Sequence, residues 1–159
     1  MTHSSQYLIE TASIAGLINP ADIEAMVQEL VALRSRGGRL FVIGLGGSAA
    51  NASHAVNDFR KLCSIEAYTP VDNVAELTAR INDDCWANSF IDWLHLMKLD
   101  SGDVLLVLSV GGGSYSTSRN ILRAVEFAKN HGAEAVDVLG IVGPEGGYTA
   151  QHGDLVLKV

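Results

Sequence analysis

The sequence predicts an α/β fold: a three-layer αβα sandwich around a central parallel sheet, preceded by a helical segment at residues 1–36. Two observations carry this. From residue 39 the chain repeats one plan three times: an apolar run, a glycine turn, then small or hydroxyl residues suited to opening a helix, as in "LFVIGLGGSAA", "VLLVLSVGGGSYS" and "VLGIVGPEGGYTA". The runs are also continuous rather than alternating, Val104 to Leu108 being the clearest, which is the pattern of strands covered on both faces. Helical patterns separate the runs, so crossovers join them into a parallel sheet.

Each element has its own signal. Residues 7–18, "YLIETASIAGLI", are apolar on nearly every face, which predicts a helix buried between subunits rather than one lying on a surface. Asn19-Pro20 then supplies a cap and a helix-starting proline; Ile23, Met26, Val27, Leu30 and Leu33 recur at helical spacing until Gly37-Gly38 stops them. Leu40 to Ile43 form a strand that breaks at Gly44-Leu45-Gly46-Gly47, and a helix capped by Ser48 follows. "CSIEAY" at 63–68 predicts a further strand, Val74 to Arg80 and Trp86 to Leu96 predict helices, and Asn120 to Asn130 another. "DLVLKV" at 154–159 alternates as a half-exposed edge strand does. Residues 39–159 then make one α/β core, and 1–159 one domain.

A chain of 159 residues is long enough to bury one core. Acidic residues outnumber basic ones by 18 to 11, and a formal net charge of −7 repels nucleic acid and anionic membranes. An anionic ligand must therefore be held by local dipoles. Cys63 and Cys85 form neither a disulfide framework nor a CxxC pair and read as packing residues, and no leader or membrane-spanning stretch is evident. A soluble protein of the reducing cytoplasm is expected.

The glycine turns admit three readings. Gly44, Gly46 and Ala49 satisfy the loose dinucleotide pattern GxGxxG/A, with Glu66 as a ribose contact. Alternatively, Ser48 caps the next helix, and its hydroxyl joins nearby N–H groups around a smaller anion; a plain geometric turn is the third. A second loop, with Ser109, Gly111, Gly112, Gly113 and Ser114, favours two jaws on one small phosphorylated molecule, without a nucleotide cofactor. Neither jaw holds Lys or Arg, and the absence of GK[ST] excludes a Walker-type site.

His54 and Asp58 lie four apart and share a helix face. Asp58 beside a bound sugar suits a general base that moves a proton between adjacent carbons through an enediol. The pair equally offers two ligands, an incomplete set, for a divalent metal such as zinc, or is an ordinary exposed ion pair. Asn82-Asp83-Asp84 reads in isolation as a cap and turn, and His95 as a packing residue; His3, His131 and His152 receive no role.

Taken together, "GLGGSAANASHAVNDF", "ARIND", "GDVLLVLSVGGGS" and "GIVGPEGGYTA" resemble, in order and spacing, the sugar-isomerase (SIS) domain, and specifically the phosphoheptose isomerases, from about residue 7 onward. The resemblance implies a flavodoxin-like sheet, isomerisation of sedoheptulose 7-phosphate to a heptose 7-phosphate, and a homotetramer with sites between subunits. It implies that Gly46, Gly47 and Ser48 form the first substrate loop, that Asn82 and Asp83 contact the sugar, and that Ser109 and Ser114 hold the phosphate. Asp58 falls where the family has a catalytic, metal-contacting Glu, and His54 where it has a zinc-ligating His. Leu45 replaces an Asn of the first loop, Val110-Gly111 replace Thr-Ser of the second, and Asp58 is one methylene shorter than Glu. The family continues past the last strand into a helix carrying a Gln and a His that complete the metal site and supply the second acid/base; here the sequence stops at Val159. The rival within the same fold is a non-catalytic phosphosugar sensor or a scaffold of the replication-initiator-binding type.

Overall fold

The computed structural model describes residues 1–130 and 135–159, so His131 lies outside the described residues. Two helices come first, α1 (His3–Leu17) and α2 (Pro20–Arg36). The first begins earlier than its apolar run because Thr2 caps it, its hydroxyl accepting from Ser5 N–H at 3.2 Å. None of its residues is buried within the chain. The second runs between the expected punctuation marks: the Asn19 side chain accepts from Ala21 N–H, and Gly37 closes the helix at φ 71°.

The core then alternates strands and helices: β1 (Arg39–Gly44), α3 (Gly47–Cys63), β2 (Glu66–Tyr68), α4 (Val74–Asp83), α5 (Ser89–Leu96), β3 (Val104–Ser109), α6 (Arg119–Lys129), β4 (Asp137–Val142), α7 (Gly147–His152) and β5 (Leu155–Lys158). The five strands form one sheet in the order β2-β1-β3-β4-β5, and every pairing is parallel. The three-layer αβα arrangement expected from the continuous apolar runs is thus present, with β5 at an edge.

Three expectations are corrected. "CSIEAY" is mostly not strand: α3 continues through Cys63, turns at Ser64 in the left-handed region, and leaves only Glu66–Tyr68 to pair with β1. Asn82 and Asp83 are the last residues of α4, because the helix that starts under the Asn73 cap runs one turn further than its apolar pattern. Cys85 is exposed rather than packed, whereas Cys63 packs partly buried against the core.

Two apolar layers hold the sheet. On one face Phe41, Ile43, Leu105 and Val107 meet α5 and α6 through Phe90, Trp93, Ile121 and Val125. Leu40, Val42, Leu106 and Leu139 meet α2 and α3 on the other, through Leu33, Ala52 and Val56. Adjacent residues of a strand thus feed opposite layers, so both faces of β1 and β3 are buried.

At the amino ends of the strands one carboxylate fixes the register. Asp103, 2% exposed, accepts from Arg39 N–H at 2.9 Å, Nε at 3.0 Å and Nη2 at 2.6 Å, and from Asp100 N–H at 3.0 Å. That bond to Asp103 holds the Arg39 guanidinium above its ordinary pKa against the opposing effect of burial. The pair ties the start of β3 to the start of β1. Removing the buried acceptor in Asp103→Ala leaves the guanidinium and two backbone donors without it, and should lower stability by about 3 kcal/mol, read as the fall in unfolding free energy in urea; a loss within 0.5 kcal/mol of zero, roughly what a surface substitution gives, contradicts this assignment.

Candidate functional site

Parallel register brings the two loops together. Gly44, the last residue of β1, pairs with Leu108 of β3, so the chain leaves both strands at one level on the carboxyl edge. Glu66 pairs with Arg39 at the opposite, amino edge and accepts from Tyr68 Oη at 2.7 Å, which removes it from any ligand at the glycine loop and with it the ribose contact of the dinucleotide reading.

The first loop turns two residues earlier than expected, at Gly46 rather than Ser48. Gly46 sits at φ 57° in the N-cap position, Ser48 N–H donates to Leu45 O at 3.1 Å, and Ala49 N–H donates to Gly46 O at 3.0 Å. Ser48 is therefore inside the helix and does not cap it, because the glycine supplies the turn that a capping hydroxyl would otherwise stabilise. Its hydroxyl is left for the cavity described below. Leu45 packs, partly buried, against the layer containing Phe41 and Trp93 and is a core residue of the loop rather than a wall of the cavity.

α3 carries the remainder. Ala52 and Val56 are buried against the sheet, and the residues beside them face an open groove. A cavity of about 650 Å³ is lined by Ser48, Asn51, Ala55 and Phe59 of this helix, by Leu106 to Val110, omitting Val107, and by Ile141 to Pro144 and Val159. Next to it a recess of about 370 Å³ is lined by His54, Asp58, Leu62 and Cys63 and shares Asn51, Ala55 and Phe59 with the larger space. Ser48 and Ser109 thus meet in one cavity, and the His54–Asp58 pair flanks it.

His54 Nε2 lies 3.3 Å from Asp58 Oδ2, with the imidazole side chain 78% exposed and the carboxylate 43% exposed. Asn57 Nδ2 donates to the other Asp58 oxygen at 3.2 Å. Among the described residues no third His, Cys, Asp or Glu joins the pair to make a metal cluster. Two donors fall short of the three protein ligands that a catalytic zinc takes, so the described residues of one chain do not fit a zinc ion and no chemistry is derived through one.

In the second loop Ser109 Oγ accepts from Gly112 N–H at 3.1 Å, and Ser114 Oγ bonds Thr117 N–H at 2.9 Å and O at 3.1 Å. Both hydroxyls therefore help to shape the loop; Ser109 lines the cavity and Ser114 does not. Gly46 and Gly47 bound the first loop without lining the cavity. Asn82 is exposed and donates to Asp83 Oδ1 at 2.9 Å, while Asp83 lines a separate recess with Glu76, Arg80, Asp84 and Asp92. Within one chain these two are not brought to the Ser48–Ser109 cavity.

Sequence reasoning passed over Asn51 and Asn120. Asn51 follows Ser48 by three and precedes Ala55 by four, so the helical period alone places it on the cavity face, between the serine and the His54–Asp58 pair. Asn120 is fully buried in the first turn of α6; its Oδ1 accepts from Ile121 N–H at 3.0 Å, and its Nδ2 has no acceptor among the described residues. With Ser118 at φ 54° just before it, strain gathers where the second loop enters α6.

Serines from two loops thus line one cavity, with a carboxylate–imidazole pair beside it, on the parallel α/β scaffold of a sugar-isomerase (SIS) domain. The comparisons specify the family. A curated phosphoheptose isomerase from Rhodospirillum rubrum is 32% identical over 145 residues, covering 88% of this chain and 72% of the relative. Another from Thermodesulfovibrio yellowstonii is 31% identical over 116 residues, covering 69% of this chain and 55% of the relative. A solved phosphoheptose isomerase from Neisseria gonorrhoeae superposes with a TM-score of 0.79 at 25% identity, over 99% of this chain and 82% of that one. The chain belongs to the phosphoheptose isomerase family. It spans little more than half the length of the Thermodesulfovibrio relative and less than three quarters of the Rhodospirillum one. No family model matches it.

The start of α3 is sensitive to one atom. A Cβ on Gly44 would lie 2.5 Å from Ser48 O, a backbone atom that cannot swing aside. Gly44→Ala is therefore expected to displace the first loop at a cost of about 1–3 kcal/mol, seen as a Tm several degrees lower; an unchanged Tm would show that the loop accommodates the methyl.

Proposed function

We propose that this chain is an aldose–ketose isomerase acting on a phosphorylated sugar, converting sedoheptulose 7-phosphate to D-glycero-D-manno-heptose 7-phosphate. The observation that carries the reading is the His54–Asp58 pair, 3.3 Å apart on the helix that leaves the first loop, in a recess that shares Asn51, Ala55 and Phe59 with the cavity lined by Ser48 and Ser109. Membership of the phosphoheptose isomerase family supports it. The serine hydroxyls and loop amides bind the phosphate end without a lysine or arginine, which suits a protein whose overall charge is −7. Asn51 sits between the two ends and holds a sugar hydroxyl.

The chemistry follows from one carboxylate. With the ketose open, Asp58 takes a proton from C1; the C1–H electron pair becomes the C1–C2 double bond, and the C2 oxygen takes up a proton, giving the enediol. Asp58 then returns its proton to C2 as the O1 proton leaves and C1 becomes the carbonyl of the aldose. No electrons leave the sugar, so the reaction requires no redox cofactor. His54 orients the carboxylate through the 3.3 Å contact. Asn82, Asp83 and Ser114 remain substrate contacts of this proposal only in an assembly that brings them to the cavity.

Such an assembly is part of the proposal. α1 buries nothing within the chain and exposes Tyr7, Leu8, Ile14 and Leu17; α2 exposes Ile23, Val27 and Val31 at successive four-residue steps. Two adjacent helices with apolar stripes in water are suited to burial against further copies of themselves, and we assign them to a homotetramer. Among the described residues no helix is long and apolar enough to cross a membrane, so these stripes are not a spanning segment.

Two measurements test the reading. Incubation with sedoheptulose 7-phosphate should yield aldose, and Asp58→Asn should lower the rate by about 10²–10⁴-fold with the sugar still bound in calorimetry. Full rate in the variant, or no turnover by the wild type despite tight binding, overturns the isomerase; the latter result is that of a sensor. Light scattering should give the mass of four chains, and Leu8→Asp with Ile14→Asp should reduce it; a wild-type monomer contradicts the assembly.

A further inference from the structure

The third glycine turn, Gly143 to Thr149, carries no group of the proposed reaction, yet the second loop is built onto it. Gly143 N–H donates to Val110 O at 2.9 Å, Tyr148 N–H to Gly113 O at 2.8 Å, and Thr149 N–H to Gly112 O at 3.0 Å. Thr149, fully buried, adds its hydroxyl to Gly112 O at 2.7 Å. The Tyr148 and Thr149 amides in the first turn of α7 are thus used on the neighbouring loop's carbonyls and are not available to a ligand. The approach is close enough to exclude side chains from both partners. A Cβ on Gly112 would overlap Gly146 O, and one on Gly147 would overlap Gly111 O and lie 2.5 Å from Gly113 O.

Peptide planarity turns this contact into an orientation. In a trans peptide the N–H points opposite to the C=O of the preceding residue, and no bond among the described residues is cis. With Val110 O and Gly112 O drawn toward the third turn, the N–H groups of Gly111 and Gly113 point away from it. Neither N–H has an acceptor among the described residues. Glycine restricts φ and ψ least, so three consecutive glycines need outside contacts to hold their amides in one direction; the Ser109 hydroxyl holds that of Gly112, and the third turn orients those of Gly111 and Gly113.

We propose that Gly146, Gly147 and Thr149 are positioning residues for the phosphate-binding loop: the third turn clasps the second and aims the Gly111 and Gly113 amides at a phosphate. The inference rests on the phosphosugar reading above. It assigns Thr149 a role in affinity although the residue is buried and touches no ligand.

The test compares Thr149→Val, which keeps the shape and removes the hydroxyl, with Thr149→Ser, which keeps the hydroxyl. Gly112 O retains the Thr149 N–H bond in both, so folding is expected, and Thr149→Ala stands in for the valine variant if that one fails to fold. Binding of sedoheptulose 7-phosphate is measured by calorimetry on the folded proteins, with kcat and KM alongside. Thr149→Val should weaken binding by about tenfold and raise KM similarly, with kcat within about twofold of wild type; Thr149→Ser should rescue affinity to within about twofold. A purely structural threonine would lower Tm and leave affinity untouched, and that outcome, or a serine variant as weak as the valine one, overturns the clasp while leaving the isomerase reading intact. If the wild type itself binds no sugar phosphate, the phosphosugar reading falls and the clasp's assigned purpose falls with it.

Discussion

The pairing of Gly44 with Leu108 is the constraint on which the rest depends. Parallel strands in this register end together, and whatever follows them emerges on the same edge. Asp103 sets it from the far end by holding the Arg39 backbone and guanidinium at the start of both strands. A slip of one residue would exchange the two buried faces, sending Phe41 and Ile43 to the α3 side and Leu40 and Val42 to the α5 side. The apolar layers therefore enforce the same alignment as the ion pair, and the loops inherit it.

From that edge α3 distributes function along one helix. Ala52 and Val56 face inward, while Ser48, Asn51, Ala55 and Phe59 line the cavity and His54 and Asp58 turn toward the adjoining recess. Because the same helix is anchored against β1 and β2, the backbone that carries Asp58 is held by the scaffold. The second loop rests Gly113 against the first turns of α6, at Ile121 and Leu122. It also takes rigidity from the third turn, so three similar glycine turns behave differently: one starts the helix that carries the His54–Asp58 pair, one brings Ser109 to the cavity, and one holds its neighbour.

Much of this was legible from residue order. The α/β alternation, the parallel sheet, the bounds of α2 between Asn19 and Gly37, and the helical pairing of His54 with Asp58 all rest on local patterns, and local patterns were sufficient. What was not legible depends on tertiary approach. Ser48 looked like a cap because hydroxyls cap helices, but Gly46 at positive φ moved the start of α3. "CSIEAY" looked like a strand because its composition suits one, but α3 had not finished. Leu45 stands where the resemblance would place an Asn of the first loop, and it packs against the core. The clasp was invisible altogether, since nothing in "GPEGGYTA" says which carbonyls its amides will find.

The central claim is that one carboxylate moves a proton between C1 and C2 of the sugar. The most direct measurement runs the reaction in D₂O and reads the aldose by NMR. Asp58 is 43% exposed, so the proton it carries exchanges with solvent in competition with return to carbon. The account predicts deuterium at C2 of the product; an aldose whose C2 hydrogen comes intact from C1 would indicate a hydride shift and contradict it.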